Sequence, residues 1–245
     1  MRRSSFKLQS GHPLLSMNNI ENPMTIKRRI ALVDDHTILR EGLQQLIDSQ
    51  PDLECCRTLP NTQEALRYLD QDKPDLMAVD ISMPGRNGLE LIKDALVQHP
   101  ELAILVISMH DEGFYAQRVL KAGARGYVMK DADSATLLHA IRTVLNGGRY
   151  LSPAMSEYVM DAFSGKAAGR TADGVQGLSD REFEVFQLLG EGKSTEGIAE
   201  SLNISPKTVE VHRAHIRDRL KLENGAAVVR YAVRWVENQK LGVPM

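Results

Sequence analysis

Five short apolar runs, separated by stretches of helical period, govern what the first 150 residues can become. Ile30–Val33, Leu53–Leu59, Leu76–Ile81, Ile104–Ile107 and Tyr127–Met129 read as strands buried on both faces. Between them lie His36–Asp48, Thr62–Asp70, Gly88–Gln98, Glu112–Ala122 and Ser134–Asn146. Leu39, Leu43, Leu46 and Ile47 show the helical spacing in the first of these. Five consecutive strand–helix units predict an α/β fold, a doubly wound five-stranded parallel sheet with helices on both faces.

The pattern changes after Gly147-Gly148. SPAMSEYVMDAF, from Ser152, suits a short helix, and SGKAAGRTADGVQG, residues 164–177, suits a flexible tether. From Leu178 the chain reads as helical throughout. Ser179 and Glu182 form a capping-box pattern, a short second helix spans roughly Thr195–Leu202, and Ser205-Pro206 starts a third. A fourth begins near Gly225, with Val229, Val233 and Val236 along one face and Trp235 beside it. The expected organisation is a disordered N-terminal extension (1–27), the α/β domain (28–148), a linker (149–177) and an all-α four-helix domain (178–240). Met17 and Met24 are possible starts besides Met1.

Composition narrows the function. No stretch approaches the roughly eighteen apolar residues that span a bilayer, and the basic first residues contain no continuous apolar segment. No membrane association is expected. The two cysteines, Cys55 and Cys56, are adjacent, which suits neither a disulfide nor a metal site and fits a reduced cytoplasm. Residues 28–148 carry a net charge of −5 and residues 176–245 none, so nucleic-acid contact needs locally clustered charge.

In an open α/β sheet, ligands bind at the carboxyl ends of the strands. Asp34 and Asp35 follow the first strand, Asp80 ends the third, Ser108 the fourth and Lys130 the fifth. Any one of these has an ordinary explanation as a helix cap, a loop hydroxyl or a solvated charge. Together they place three carboxylates, a hydroxyl and an ammonium on one rim. Three acids resist simultaneous ionisation unless a cation joins them, and an all-oxygen set suits Mg²⁺. A carboxylate beside a metal and a lysine can attack phosphorus.

LVDDH, AVDISMPGRNG, LVISMHDE and AGARGYVMKDAD resemble the receiver domain of bacterial two-component response regulators, over about residues 28–148. That resemblance implies a flavodoxin-like fold and a phosphoryl group accepted on Asp80 from a sensor histidine kinase. It implies Mg²⁺ held by Asp34, Asp35, Asp80 and the Ser82 carbonyl, Lys130 on the phosphoryl oxygens, Ser108 as switch hydroxyl and Tyr127 as coupled aromatic. Asp131 stands where many receivers carry proline.

The second and third helices of the C-terminal segment form a helix-turn-helix pattern. Val209, His212, Ile216 and Leu220 take the core-facing spacing. The outer face carries Lys207, Glu210, Val211, Ala214, Arg217 and Lys221, and residues 205–221 have a net charge of +3. Glu210 and Val211 suit base edges, whereas Lys207, Arg213, Arg217 and Lys221 suit phosphates. With Thr208 these are the expected DNA-contacting residues. His212 and His215 lack the further ligands a metal site needs.

The stretch LSDREFEVFQLLGEGKSTEGIAESLNISPKTVEVHRAHIRDRLKL is similar to LuxR-type DNA-binding domains, with Gly197 departing from the usual better helix former. Receiver plus LuxR-type domain is the plan of the NarL/FixJ subfamily. It implies a cytoplasmic, non-enzymatic transcription regulator that binds double-stranded DNA and forms a homodimer when phosphorylated. The alternatives are a phosphate-independent receiver-like regulator acting by protein contact and an aspartyl-phosphate phosphatase. The second acid typical of such a phosphatase would stand where this chain has Ser82.

Overall fold

The computed structural model describes residues 26–110, 112–153, 156 and 174–240. The N-terminal extension and most of the linker, with most of the helix expected from Ser152, lie outside the described residues. Strands β1 (Arg28–Val33), β2 (Leu53–Leu59), β3 (Leu76–Val79), β4 (Ala103–Ser108) and β5 (Gly126–Met129) form one sheet of order β2-β1-β3-β4-β5. All four pairings are parallel. Helices α1 (Thr37–Asp48), α2 (Thr62–Leu69), α3 (Gly88–Gln98), α4 (Glu112–Ala122) and α5 (Ser134–Leu145) connect them.

The strands are apolar throughout because both sheet faces are covered. Ile30 and Leu32 point to the side packed by Ile47 of α1 and Leu137, Leu138 and Ile141 of α5. Ala31 and Val33 point to the opposite side, against Ala65 and Leu69 of α2 and Leu89 and Ile92 of α3. This is the period-two alternation of a strand read into two cores. Side-chain acceptors start the helices: Asn61, Asn87 and Asp133 bond the third amide of α2, α3 and α5.

Strand order reverses between β1 and β3, which leaves a crevice at their carboxyl ends. β3 stops two residues before the apolar run does. The Asp80 amide still donates to Val33 O at 2.8 Å, but the Ile81 carbonyl turns away to accept from Met83 and Gly88. Asp80 is therefore fixed by the sheet at the point where the chain begins to turn.

The second segment opens with a 3-10 turn (Val175–Gly177), followed by α6 (Asp180–Gly190), α7 (Thr195–Leu202), α8 (Pro206–Arg219) and α9 (Gly225–Lys240). The Ser179–Glu182 capping box forms, and Ser205 caps α8 with Pro206 in its first turn. Asn203 adopts the left-handed conformation, φ 49°, that joins α7 to α8. Phe183, Phe186 and Trp235 pack edge to face at 5.6–5.7 Å. On α9 the buried stripe is Val228, Ala232, Trp235 and Val236. Val229 and Val233, expected on that face, are only half-buried, because the helix turns its small Ala232 toward Gly190.

Gly88 starts α3 directly beneath the Asp80 turn. A Cβ there would lie 2.1 Å from the Asp80 carbonyl oxygen and 2.8 Å from Ile81 Cα, both backbone atoms that cannot step aside. Gly88→Ala is expected to cost about 1–3 kcal/mol, read as a lowered calorimetric midpoint. An unchanged midpoint would show that the strand end and α3 are not locked together.

Candidate functional site at the sheet rim and its link to the helical domain

The crevice brings Asp34, Asp35, Asp80 and Lys130 together. Lys130 Nζ stands 2.8 Å from both Asp34 Oδ2 and Asp80 Oδ2, and its side chain is only 1% exposed. Burial opposes its charge, but the two carboxylates outweigh that and hold its pKa above the ordinary lysine value. Burial raises the Asp80 carboxyl, against the pull of Lys130 and a hydrogen bond from the Ser82 amide at 3.1 Å. Arg40 donates to the Asp34 carbonyl and so ties α1 to the same corner.

His36 joins this cluster although it carried no assigned role in the sequence. Its Nδ1 lies 3.2 Å from Asp34 Oδ1, 3.1 Å from Asp35 Oδ1 and 3.9 Å from Asp80 Oδ2. The only sequence signal was its place immediately after the Asp pair.

A hard divalent cation fits this donor set. The carboxylates of Asp34, Asp35 and Asp80, with His36, offer ligand atoms within 4.8 Å of one another. Among the described residues Asp35 Oδ1 is buried and accepts no hydrogen bond, with only the His36 ring nitrogen beside it at 3.1 Å, an acceptor of the kind a cation satisfies.

Ser108 and Tyr127 are fully buried beside the rim. Ser108 Oγ accepts from the His110 amide at 3.3 Å, and the Tyr127 hydroxyl donates to the His110 carbonyl at 2.7 Å. Both expected switch residues thus hold the backbone of one further residue, His110. Its ring lies 4.8 Å from that of Tyr115, and Gln187 Nε2 on α6 lies 3.2 Å from its Nδ1. Burial holds the His110 imidazole below its ordinary pKa, which favours the neutral ring that a bond from the Gln187 amide needs.

Gln187 belongs to an extended contact between the two halves of the chain. Arg118 on α4 donates to the carbonyls of Leu178 and Val175 at 2.9 Å each, approaches Asp180, and lies 4.1 Å over the Phe183 ring. Asn87 Nδ2 donates to Glu184 Oε1 at 3.0 Å, while its Oδ1 caps α3. Lys93 pairs with Asp180, and Tyr115 meets Phe183 edge to face. Among the described residues Arg118 Nε and Gln187 Oε1 are buried without hydrogen-bond partners, so this polar contact is imperfectly satisfied.

The outer face of α8 lies clear of this contact. Lys207 and Glu210 are exposed, Val211 is 46% exposed despite being apolar, and Lys221, expected on this face, lies exposed beyond the end of α8 in the left-handed conformation, φ 53°. Ala214 and Arg217 are half-buried, and Arg217 pairs with Asp218 at 2.7 Å. The Thr208 hydroxyl is engaged with the Ser205 cap at 2.8 Å. Arg213 turns inward, toward Glu210 and Thr195.

Removing Lys130 leaves two buried carboxylates uncompensated. Lys130→Met is expected to cost about 3 kcal/mol in urea unfolding, and Lys130→Met combined with Asp80→Asn to cost clearly less. Strict additivity of the two changes would contradict a shared charge balance.

A family model for the response regulator receiver domain matches residues 30–142, and one for bacterial regulatory proteins of the luxR family matches residues 176–232. The chain is 35% identical over 210 residues to the oxygen regulatory protein NreC of Staphylococcus carnosus, covering 84% of this chain and 97% of that one. A LuxR-family two-component response regulator from Aurantimonas sp. SI85-9A1 matches at 33% identity and TM-score 0.53, over 56% of this chain and 99% of that one. RcsB from Salmonella enterica serovar Typhimurium has the same fold, with TM-score 0.58 at 24% identity, over 85% of this chain and 99% of that one. The chain belongs to the two-component response regulators of the NarL/FixJ subfamily, in which a receiver domain is joined to a LuxR-type helix-turn-helix domain.

Proposed function

We propose that this regulator takes a phosphoryl group on Asp80 from a sensor histidine kinase and thereby alters its grip on promoter DNA. The observation that carries the reading is the rim itself. A sheet-anchored carboxylate lies 2.8 Å from a buried ammonium and beside two further acids.

An oxygen of the Asp80 carboxylate forms the new bond to phosphorus as the bond from phosphorus to the kinase histidine nitrogen breaks. Lys130 turns from pairing with the carboxylates to pairing with a phosphoryl oxygen. Asp34, Asp35, Asp80 and the Ser82 carbonyl would hold Mg²⁺, which supplies positive charge against the incoming phosphoryl group. On this reading the chain acts as a regulator switched by its own phosphorylation rather than as an enzyme.

The rim reaches the helical domain through His110. A phosphoryl group on Asp80 draws the Ser108 hydroxyl toward it and off the His110 amide. The loop bearing the His110 ring then shifts against Gln187. Loss of this contact, with those of Arg118 and Asn87, uncovers the face around α4 for a second copy of the chain. RcsB has been solved on promoter DNA with a phosphomimetic and as dimers on DNA. By analogy, α8 of each subunit here enters the major groove at one of two half-sites. Among the described residues no helix is long and apolar enough to cross a membrane.

Two measurements test this. Intact mass after incubation with Mg²⁺ and a small acyl phosphate is expected to rise by one phosphoryl group in the wild type and not in Asp80→Asn. A gain in both would move the acceptor elsewhere. The second concerns Glu184, whose buried carboxyl is held above its usual range, with Glu90 adding to that rise against Arg181 and Asn87. Parting the domains returns Glu184 to water, so the docked state binds its proton more tightly and docking weakens as pH rises from about 4.3. His110 in the same contact, its pKa lowered by burial, contributes with the opposite sign, so a fluorescent pair across the two domains is read as the difference between the wild type and Glu184→Gln. From pH 5 to pH 8 the wild type is expected to gain separation relative to the variant, and pH responses that coincide would remove Glu184 from the contact.

A further inference from the structure

Arg213 reads in the sequence as a phosphate contact, but the fold gives it another occupation. Its Nη1 lies 2.7 Å from Glu210 Oε1 and 3.0 Å from Thr195 Oγ1, and the Thr195 hydroxyl donates to the same Glu210 oxygen at 2.9 Å. The Arg213 side chain is 22% exposed, whereas Glu210 is 55% exposed. Arg213 Nη2 lies near the first residue of α9, where a Cβ on Gly225 would be 3.7 Å away. Its Nε is buried without a hydrogen bond among the described residues. An i,i+3 ion pair on an open helix surface is ordinarily loose. Here the guanidinium is tucked between helices, and one carboxylate oxygen is bonded from both helices of the motif.

Glu210 is the one acid among residues 205–217, at the centre of a basic face. A carboxylate set against DNA is repelled by phosphates unless a cation balances it and a donor meets it. Arg213 supplies the first. Among the described residues, Glu210 Oε2 has no hydrogen-bond partner. In the major groove, the cytosine N4 amino group is the donor a lone carboxylate oxygen accepts, whereas adenine sets an N7 acceptor beside its amino group. We propose that Thr195 and Arg213 are positioning residues that hold Glu210 for cytosine, so that base choice at one position of each half-site is set by three residues on two helices. This rests on the reading that α8 enters the major groove.

The test is selection from a randomised duplex library with the full-length chain, phosphorylated with acyl phosphate, followed by affinity against salt for the selected site. The wild type is expected to enrich cytosine at one position per half-site, and Glu210→Gln to move that position toward adenine. Arg213→Gln and Thr195→Val are expected to reduce the cytosine preference about tenfold, leaving the other positions and the salt slope as in wild type. Circular dichroism would confirm that both variants keep their helices. A salt slope reduced by about one unit in Arg213→Gln, with cytosine preference intact, would make Arg213 a phosphate contact and overturn the proposal. Absence of cytosine enrichment in a wild type that selects a defined site would also overturn it and leave the major-groove reading standing. A wild type that selects nothing would remove that reading itself.

Discussion

One ammonium shared by two buried carboxylates is the constraint on which this protein turns. Asp34 and Asp80 sit on adjacent strands because β1 and β3 pair in parallel register, so their carboxyl ends share one edge. Without Lys130 at the end of β5, that edge would concentrate negative charge in a poorly solvated crevice. The sheet order, with β4 between β3 and β5, lets a long side chain reach across to close it. A divalent cation would answer the same shortage of positive charge, and would leave Lys130 to pair with the phosphoryl group proposed above. Structure and chemistry thus draw on one charge balance.

α6 extends the influence of that rim to the rest of the chain. Glu182 to Gln187 are buried in unbroken sequence, which a surface helix of two faces cannot achieve. Phe186 meets the aromatic cluster of its own domain, while Asp180, Glu184 and Gln187 meet the receiver. The helix is therefore a shared wall, and His110 is the point where it touches the residues expected to move first.

The sheet and the rim were legible in the sequence for a simple reason. Continuous apolar runs specify doubly covered strands, and polar residues at their ends then fall on one edge by topology alone. The contact between domains was not legible. Asn87 caps α3, and its amide nitrogen also bonds Glu184, a partner 97 residues away that no local pattern announces. Glu184 and Gln187 carried no signal in the sequence, because polar side chains that meet polar partners leave no hydrophobic trace. Arg213 illustrates the same limit. Its charge and helical position suit a phosphate, and only the approach of Thr195 from the neighbouring helix reveals a different partner. His36 could be read no further than its adjacency to the two aspartates.

The composition of the surface that α6 turns to the receiver also bears on how such chains diversify. That surface is mostly carboxylate and amide, with the Phe183 ring against Tyr115 as its apolar part. A helical domain detached by recombination would carry a small aromatic patch among groups that water readily receives, and a receiver stripped of its partner would expose Tyr115 beside arginine, asparagine and histidine. Joining either half to a new neighbour would mean rematching one aromatic contact and a few polar side chains.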